Sequence, residues 1–403
     1  MLKKVGLVAV LAALISVIVA TAALGSGRTP ARLAASSVKC GNKVNIGIAY
    51  PATGGVADLG ATQFDWAKYA VKLWNASHKL KINLVQGDTQ LTTNAAANIS
   101  VAHTFVSNGQ ILAVTGPAGS QEVQDSNAIY AGGGLANVSG SATRIFLTRA
   151  EGGTARETKL GFFYRTVPND GQQGDRVASF IHQTLKFKHV YIIDDEEAYS
   201  QGLADQVQAD LAKVGVNAGR NHVAQNVNDF SSLIAAIPSN TQIVYTPWQQ
   251  AAEAQTFGQQ LKASGKKAIM MGSDGIDVPG QFEIHGAYVS GFPVDFGSGV
   301  VKAFSKAHGG KPETFGLPTY TSVWVNATAI QMACKAGHGK TNRTAVRKDL
   351  LKVNLSAKQS VLGFPVKFLT KNKGKYQGPG DMGGTGNWAI FNINKKGQYV
   401  NAG

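Results

Sequence analysis

The chain is poor in cysteine and in charged residues, and it lacks the compact motifs that define common enzyme classes. Of its 403 residues, two are cysteine and 16% are charged. No C-x-x-C sequence is present, so neither a zinc knuckle nor a thioredoxin-type redox site is predicted. The G-x-S-x-G, H-E-x-x-H and G-x-x-x-x-G-K-[ST] motifs of hydrolases, zinc proteases and nucleotide-binding proteins are also missing. We therefore expect no catalytic residue, no bound metal and no cofactor, and we do not predict an enzyme.

Acidic residues are scarce relative to basic ones. The chain carries 24 Asp and Glu against 39 Lys and Arg, which gives a formal net charge of +15 at pH 7. A basic protein can bind nucleic acid or an anionic membrane surface. Here the basic residues are scattered, and no run of five occurs. We therefore expect a solvated basic surface and no nucleic-acid partner.

The first segment of the chain differs in composition from the rest. Lys3 and Lys4 precede an apolar or small run over residues 5–24, and small and polar residues follow. A positive start, an apolar centre and a small-residue exit are typical of a secretory signal, although about 20 apolar residues also suffice to span a bilayer. We interpret residues 1–35 as a signal peptide or a membrane anchor. Either predicts an exported protein that is periplasmic or associated with the cell surface.

The two cysteines allow two interpretations. Cys40 precedes the first expected strand, and Cys334 lies in an apolar helical stretch. Export would permit a disulfide between them. Buried cysteines, however, often behave as small hydrophobic side chains. We therefore favour two free thiols, with a Cys40–Cys334 disulfide as the alternative.

After residue 42 the apolar pattern predicts strands that alternate with helices. A first series of expected strands covers 44–50, 81–85, 111–115 and 136–138, and a second covers 190–193, 243–245 and 268–271. Expected helices of 10 to 15 residues separate most of these strands, which indicates parallel sheets built from βαβ units. A chain of this length fits about two to three domains. The sequence therefore predicts an α/β protein with two doubly wound lobes.

Small, hydroxyl-bearing and acidic residues follow several of these strands. Ligands of open α/β sheets bind beyond the carboxyl ends of the strands, so these loops are candidate sites. The loop 116–120 ends in Ser120 before a helix, where hydroxyl and amide groups can hold an anion, or simply cap the helix. Asp274 follows the strand at 268–271, where its carboxylate can meet a ligand cation, or form an Asx-turn beside Gly275. Local sequence leaves both alternatives open.

Seven short segments occur in a characteristic order and spacing. They are IAYPATGG at 48–55, TGPAGS at 115–120, SGSAT at 139–143, FYRT at 163–166, YSQG at 199–202, DFSSL at 229–233 and MGSDG at 271–275. Together they resemble the type I periplasmic binding proteins, specifically the branched-chain amino-acid-binding branch that serves ABC importers. The resemblance runs from about Val44 to the C-terminus.

This resemblance implies a fold of two lobes joined by three hinge crossings. The first lobe would hold residues 42–165 and 298–362, and the second would hold residues 166–297 and 363–403. Ligand would bind in the cleft between them and draw the lobes together by hinge closure.

The resemblance also implies ligand contacts, position by position. Ser120 matches a serine that holds the ligand α-carboxylate, and Ser141 matches a position whose backbone carbonyl accepts from the α-ammonium. Thr143 matches a threonine that touches both groups. Tyr199 matches the second-lobe tyrosine that reaches the ligand after closure. Asp274 matches an acidic residue that pairs with the ammonium, although the branched-chain binders have Glu there.

Two positions depart from the family pattern. Leu59 stands where the branched-chain binders place an aromatic residue near the side-chain pocket, and Trp248 matches a cleft aromatic only with a gap in the alignment. The groups expected to hold the zwitterion are therefore better preserved than the side-chain pocket.

The resemblance implies that the protein captures a small molecule, and we expect an apolar α-amino acid. We also expect a monomer that delivers this ligand to the permease of an ABC importer. The alternatives are a ligand-binding sensory or regulatory protein of the same fold, and a binder of urea, amides or aromatic acids.

Overall fold

The computed structural model describes residues 36–41, 43–92, 94–150, 153–292, 298–308, 314–383 and 388–403. The expected signal peptide or anchor at 1–35 lies outside these residues. In chain order the strands are β1 (Val38–Lys39), β2 (Lys43–Tyr50), β3 (Lys81–Asp88), β4 (Ile111–Thr115), β5 (Asn137–Ser139), β6 (Phe163–Arg165), β7 (Val190–Asp194), β8 (Gly219–His222), β9 (Ile243–Thr246), β10 (Ile269–Gly272), β11 (Tyr288–Gly291), β12 (Lys340–Thr341), β13 (Asn354–Leu355), β14 (Val366–Lys367), β15 (Ala389–Ile393) and β16 (Tyr399–Asn401).

The helices alternate with these strands. They are α1 (Ala57–Ser77), α2 (Ala96–Ser107), α3 (Ser120–Gly132), α4 (Asp170–Ser179), α5 (Ala198–Lys213), α6 (Ser231–Ala236), α7 (Ala251–Ala263), α8 (Gly299–His308), α9 (Gly316–Ala336), α10 (Arg343–Leu350) and α11 (Ala357–Ser360). A π-helical turn, Phe180–Thr184, continues α4. Within the described parts of the chain, no helix has the length and apolar character needed to cross a membrane.

The strands form two large sheets, which confirms the predicted fold of two doubly wound lobes. The first sheet has the order β3-β2-β4-β5-β6, and all its neighbours are parallel. The second has the order β16-β15-β11-β10-β9-β7-β8. It is parallel from β11 to β8, and β15 and β16 add an antiparallel edge. In both sheets the loops after the parallel strands emerge on one edge, where such folds bind ligands.

The core of the first lobe explains the helical pattern of α1. Trp66, Ala70 and Trp74 recur at four-residue spacing, so they lie on one face of the helix, and all three are buried. The Trp66 ring stacks on Phe304 of α8 with ring centroids 3.8 Å apart, and its edge meets Tyr320 of α9. This face therefore fastens α1 to two helices that come from the second half of the sequence.

Described elements change lobe three times along the chain: between β6 and α4, between β11 and α8, and between Met382 in the first-lobe core and β15 in the second sheet. We expected residues 363–403 to lie in the second lobe. Instead, Val366, Phe368 and Met382 pack into the core of the first lobe, and only the strands from Ala389 onward join the second sheet. A buried ion pair adds to this packing, because Arg165 of β6 donates to Asp381 at 2.6 Å and holds the segment against the first lobe.

The cysteines form a disulfide, Cys40–Cys334, although we had favoured free thiols. The short strand β1 pairs antiparallel with β12, and the Cys40 amide donates to the Gly339 carbonyl at 2.9 Å. This pairing brings the two Cα atoms to 5.9 Å, within the range that a disulfide requires. The bridge ties the beginning of the described chain to the end of α9.

We expect reduction of this disulfide to lower the free energy of unfolding by about 2–5 kcal/mol, because the bridge constrains the unfolded chain. Denaturant unfolding with and without dithiothreitol measures the change. A variant with Cys40→Ala and Cys334→Ala is the control, and its stability should not respond to the reductant. Alkylation of both thiols in the denatured, unreduced protein would contradict the assignment.

Candidate ligand-binding site

A cavity lies between the lobes at the carboxyl ends of both sheets. It encloses about 290 Å³ of space free of protein atoms, including its opening to solvent. The first lobe contributes Leu59, Leu91, Ala118, Gly119, Ser120 and Ser141 to its walls, and the second contributes Tyr199, Gln249, Asp274 and Gly275. Phe315, from the cluster of aromatic and apolar side chains beside the crossings, completes the lining. Four of the six expected site residues therefore line one cavity.

The loop before α3 is held by a buried carboxylate. Glu122 accepts from the backbone amides of Ala118 and Gly119 with Oε2, at 3.1 and 3.0 Å, and from that of Leu91 with Oε1, at 3.1 Å. Burial raises the pKa of Glu122 to about 7. These bonds fix the loop that carries Ser120. As the first residue of α3, Ser120 offers the cavity an amide that has no partner within the helix, next to its hydroxyl.

Ser141 belongs to the neighbouring loop and is fixed by hydrogen bonds on both sides. Its Oγ donates to the Ala118 carbonyl at 2.7 Å and accepts from Nε2 of Gln63 at 2.8 Å. Ser139, in the same loop, donates from Oγ to the Pro117 carbonyl at 2.6 Å. The two loops of the first lobe are therefore joined by hydrogen bonds. The Ser141 amide also donates to Oγ of Ser139 at 3.2 Å, so Ser141 has its backbone carbonyl left for a ligand.

Asp274 is the charged group of the cavity wall. It is 1% exposed, and its Oδ1 accepts from the Tyr199 hydroxyl at 2.6 Å and from Nε2 of Gln173 at 2.7 Å. Ser273 Oγ lies 2.6 Å from the same tyrosine hydroxyl. Among the described residues, no Lys, Arg or His forms an ion pair with Asp274. Burial raises the pKa of Asp274 to about 6, and the bonds from Tyr199 and Gln173 oppose that rise.

Thr143 lies behind the cavity rather than in its wall. It is fully buried, and its carbonyl accepts from the Asp170 amide at 3.0 Å. The carboxyl of Asp170 is also buried, and burial together with the charge of Asp274 raises the pKa of Asp170 to about 8. The expected contact of Thr143 with both ends of the ligand therefore has no direct support from its position.

Trp248 is placed in the core of the second lobe. Its Nε1 donates to the Ile193 carbonyl at 2.8 Å, and its ring packs against Phe230 and Phe257. Its side chain does not line the cavity, because the indole donor is already satisfied inside the lobe. We therefore correct the expectation that Trp248 serves as a cleft aromatic. The backbone carbonyl of Trp248 does approach Gly275, where a Cβ atom would stand 2.3 Å from it.

Sequence reasoning missed three residues of the wall, namely Leu91, Gln249 and Phe315. Gln249 follows the carboxyl end of β9, so the rule that selected Asp274 after β10 would also have selected it. Leu91 and Phe315 gave no such signal. They reach the cavity from a turn after β3 and from the start of α9, which only the tertiary fold brings together.

Direct hydrogen bonds join the lobes beside the cavity. The Gln121 amide of α3 donates to Oε1 of Glu197 at 3.1 Å, and Oε2 of Glu197 accepts from the Tyr199 amide at 2.6 Å. Nη1 of Arg144 donates to the Ala198 carbonyl at 2.7 Å. Burial, with the nearby charge of Asp195, raises the pKa of Glu197 to about 8. The start of α5 is thus bound to the first lobe, and the cleft is narrow.

The fold and this cavity define a class: a two-lobed protein that encloses a ligand at the edges of two parallel sheets. The chain belongs to the periplasmic binding protein family, whose profile matches residues 43–398.

Curated relatives with sequence similarity include binding proteins for amino acids. An amino acid binding protein of Pseudomonas aeruginosa is 29% identical over 306 residues, which cover 72% of this chain and 79% of the relative. A Leu/Ile/Val-binding protein homolog of Brucella suis is 30% identical over 308 residues, which cover 72% of this chain and 78% of the relative. The Leu/Ile/Val-binding protein of Escherichia coli is 27% identical over 333 residues, which cover 80% of this chain and 86% of the relative.

Solved structures share the fold at lower identity. A leucine-binding protein from Thermotoga maritima superposes with a TM-score of 0.73 at 19% identity and covers 89% of this chain and 98% of its own. A solute-binding protein from R. palustris in complex with benzoate has the same TM-score of 0.73 at 15% identity. The superposition covers 90% of this chain and 96% of that protein.

The stability of the folded protein should fall as pH rises from 5 to 8.5. Folding raises the pKa of Glu122, Asp170, Asp195, Glu197 and Asp274 above ordinary carboxyl values, chiefly by burial. The folded state therefore binds more protons than the unfolded state in this window, and each extra proton costs about 1.4 kcal/mol of stability per pH unit as pH rises. Calorimetric melting temperatures across the window measure the slope.

Glu197→Gln provides the control for this dependence, because it keeps an acceptor for the Gln121 amide and removes one titrating group. The slope of this variant should be shallower between pH 5 and 8. A wild-type melting temperature that rises steadily with pH would contradict the assignment of raised pKa values.

Proposed function

We propose that this protein binds a small α-amino acid between its lobes outside the cytoplasm and delivers it to an ABC importer. The observation that carries the proposal is Asp274, a buried carboxylate in the cavity wall with neutral donors as its only described hydrogen-bond partners. A buried anion of this kind is stabilised strongly by an incoming cation. The α-ammonium of an amino acid supplies that cation.

The opposite side of the cavity suits the other end of the same ligand. Ser120 presents its hydroxyl and its own backbone amide at the start of α3, where the helix dipole favours an anion such as a carboxylate. An amino acid that leaves water must have both of its charges paired, or its desolvation costs several kcal/mol. Ser120 and Asp274 face one cavity from different lobes, so one zwitterion would bridge them and favour closure.

The relatives support the same assignment. Their names describe binding of amino acids, leucine, or leucine, isoleucine and valine, and one structural neighbour is a branched-chain amino acid transporter substrate-binding protein with isoleucine bound. From these we infer a permease partner for this chain. The Cys40–Cys334 disulfide supports an oxidising compartment outside the cytoplasm. The expected export segment at residues 1–35 and a monomeric state are part of this proposal.

The first test is a thermal-shift screen of the full-length protein, stripped of co-purified ligand by unfolding and refolding. The panel contains the twenty amino acids, urea, simple amides and benzoate. A ligand of the folded state raises the melting temperature, with a stabilisation of about 2.7 kcal/mol at a hundred times its dissociation constant. We expect shifts with amino acids. Shifts with urea, amides or benzoate alone would discard the zwitterion assignment and keep the binding role.

Asp274→Ala should weaken amino acid binding by about 3 kcal/mol or more, because the ligand ammonium would be buried without a partner. Ser120→Ala should cost about 1–3 kcal/mol, because the carboxylate loses one donor. Isothermal titration measures both. Asp65→Ala, which removes an exposed carboxylate paired with Lys68 on α1, is the control and should leave affinity unchanged. An unchanged affinity of Asp274→Ala would remove this residue from the site.

A further inference from the structure

The side-chain amide of Gln249 is a buried donor in the cavity wall. Gln249 is 8% exposed and lines the cavity beside Asp274 and Tyr199. Its Nε2 is fully buried, and no described residue accepts a hydrogen bond from it. Leaving a buried donor unpaired is costly, so native proteins seldom do so without a reason. Gln249 therefore has unused donor capacity in the wall of the cavity where the ligand would bind.

Other buried glutamines near the cavity use their amide donors within the protein. Nε2 of Gln173 donates to Asp274 and Ser290 at 2.7 and 2.8 Å, and Nε2 of Gln63 donates to Ser141 at 2.8 Å. These donors orient neighbouring site residues. Gln249 differs from both, because its Nε2 has no hydrogen-bond acceptor among the described residues.

The backbone that carries Gln249 is held in place. Its amide donates to Oδ2 of Asp195 at 3.3 Å, which fixes it to the loop after β7. On the other side, a Cβ atom on Gly275 would stand 3.1 Å from the Gln249 Cα, so the two loops pack in close contact. The amide cannot move away from the cavity by a shift of its loop without breaking these contacts.

The charges of the wall restrict the group that Gln249 can bind. Among the described residues that line the cavity, Asp274 is the one Asp, Glu, Lys, Arg or His, and the proposed function assigns it to the ligand ammonium. An acidic ligand side chain would add a second anion to this wall without a cation to balance it. A basic side chain would need a second carboxylate there. A neutral acceptor, such as a hydroxyl or carboxamide oxygen, meets the Nε2 donor without an unpaired charge.

The rest of the wall offers few polar partners to that side chain. Leu59, Leu91 and Phe315 are apolar, so Gln249 is the amide donor beside the charged group of the wall. We infer that the ligand is a neutral α-amino acid whose side chain carries a hydroxyl or carboxamide, and that Gln249 donates to its oxygen. This inference rests on the proposed function, and it replaces the apolar side chain expected from the family resemblance.

Two pairs of ligands with nearly equal shape test the inference. Threonine and valine differ in one hydroxyl, and asparagine and leucine differ in the carboxamide. Isothermal titration of the refolded full-length protein should show that at least one polar member binds about tenfold or more tightly than its apolar partner. In Gln249→Leu this ratio should fall to about one or below, through weaker binding of the polar member.

Gln249→Met is a second variant that keeps the length of the side chain and removes the donor without adding a charge. It should lose the same preference, and it keeps the test decisive if the leucine variant does not fold. Gln259→Leu, at an exposed position on α7, is the matched control and should retain the wild-type ratio.

The outcomes separate the two proposals. Tighter binding of valine or leucine than of their polar partners by the wild-type protein would overturn the inference about Gln249 and leave amino acid binding intact. An equal loss of affinity for both members of a pair in the variants would also overturn it, because Gln249 would then contact the part common to all amino acids. No binding of any amino acid by the wild-type protein would reject the proposed function as well.

Discussion

The site depends on one constraint, the burial of the Asp274 carboxylate with only neutral donors around it. A charge taken out of water is tolerated when it is well hydrogen-bonded, and it gains most from a cation that arrives with the ligand. Tyr199 and Gln173 hold the carboxylate in one orientation. The same burial that makes this charge costly without a partner is the reason that we propose a ligand with an ammonium group.

The parallel sheets explain why such a site can be shared between two lobes. Each sheet directs the loops after its strands to one edge, and the three chain crossings set those two edges against each other. The buried pair Arg165–Asp381 fixes the segment before the last crossing to the first lobe. The hinge closure that the proposed function requires would then take place in the connections between the lobes, while the loops that carry Ser120 and Asp274 stay attached to their sheets.

Sequence periodicity and the family resemblance together predicted the two doubly wound lobes, because apolar strands buried on both faces give a strong signal. The loop positions of Ser120 and Asp274 followed from the strand-end rule. The course of residues 363–383 was not predictable in this way, since contacts between distant residues determine it, namely the Arg165–Asp381 ion pair and the packing of Val366, Phe368 and Met382 in the first-lobe core. The location of Trp248 and the disulfide likewise depend on tertiary contacts, namely a carbonyl acceptor at Ile193 and the pairing of β1 with β12.

The Cys40–Cys334 bridge also has a mechanical meaning. It attaches the start of the described chain to the end of α9, which is packed within the first lobe. A pull transmitted along the chain that precedes Cys40 is therefore divided between two elements of the first lobe, α9 through the disulfide and β2 through the backbone. With respect to that attachment point, the closure that we propose would be a movement of the second lobe.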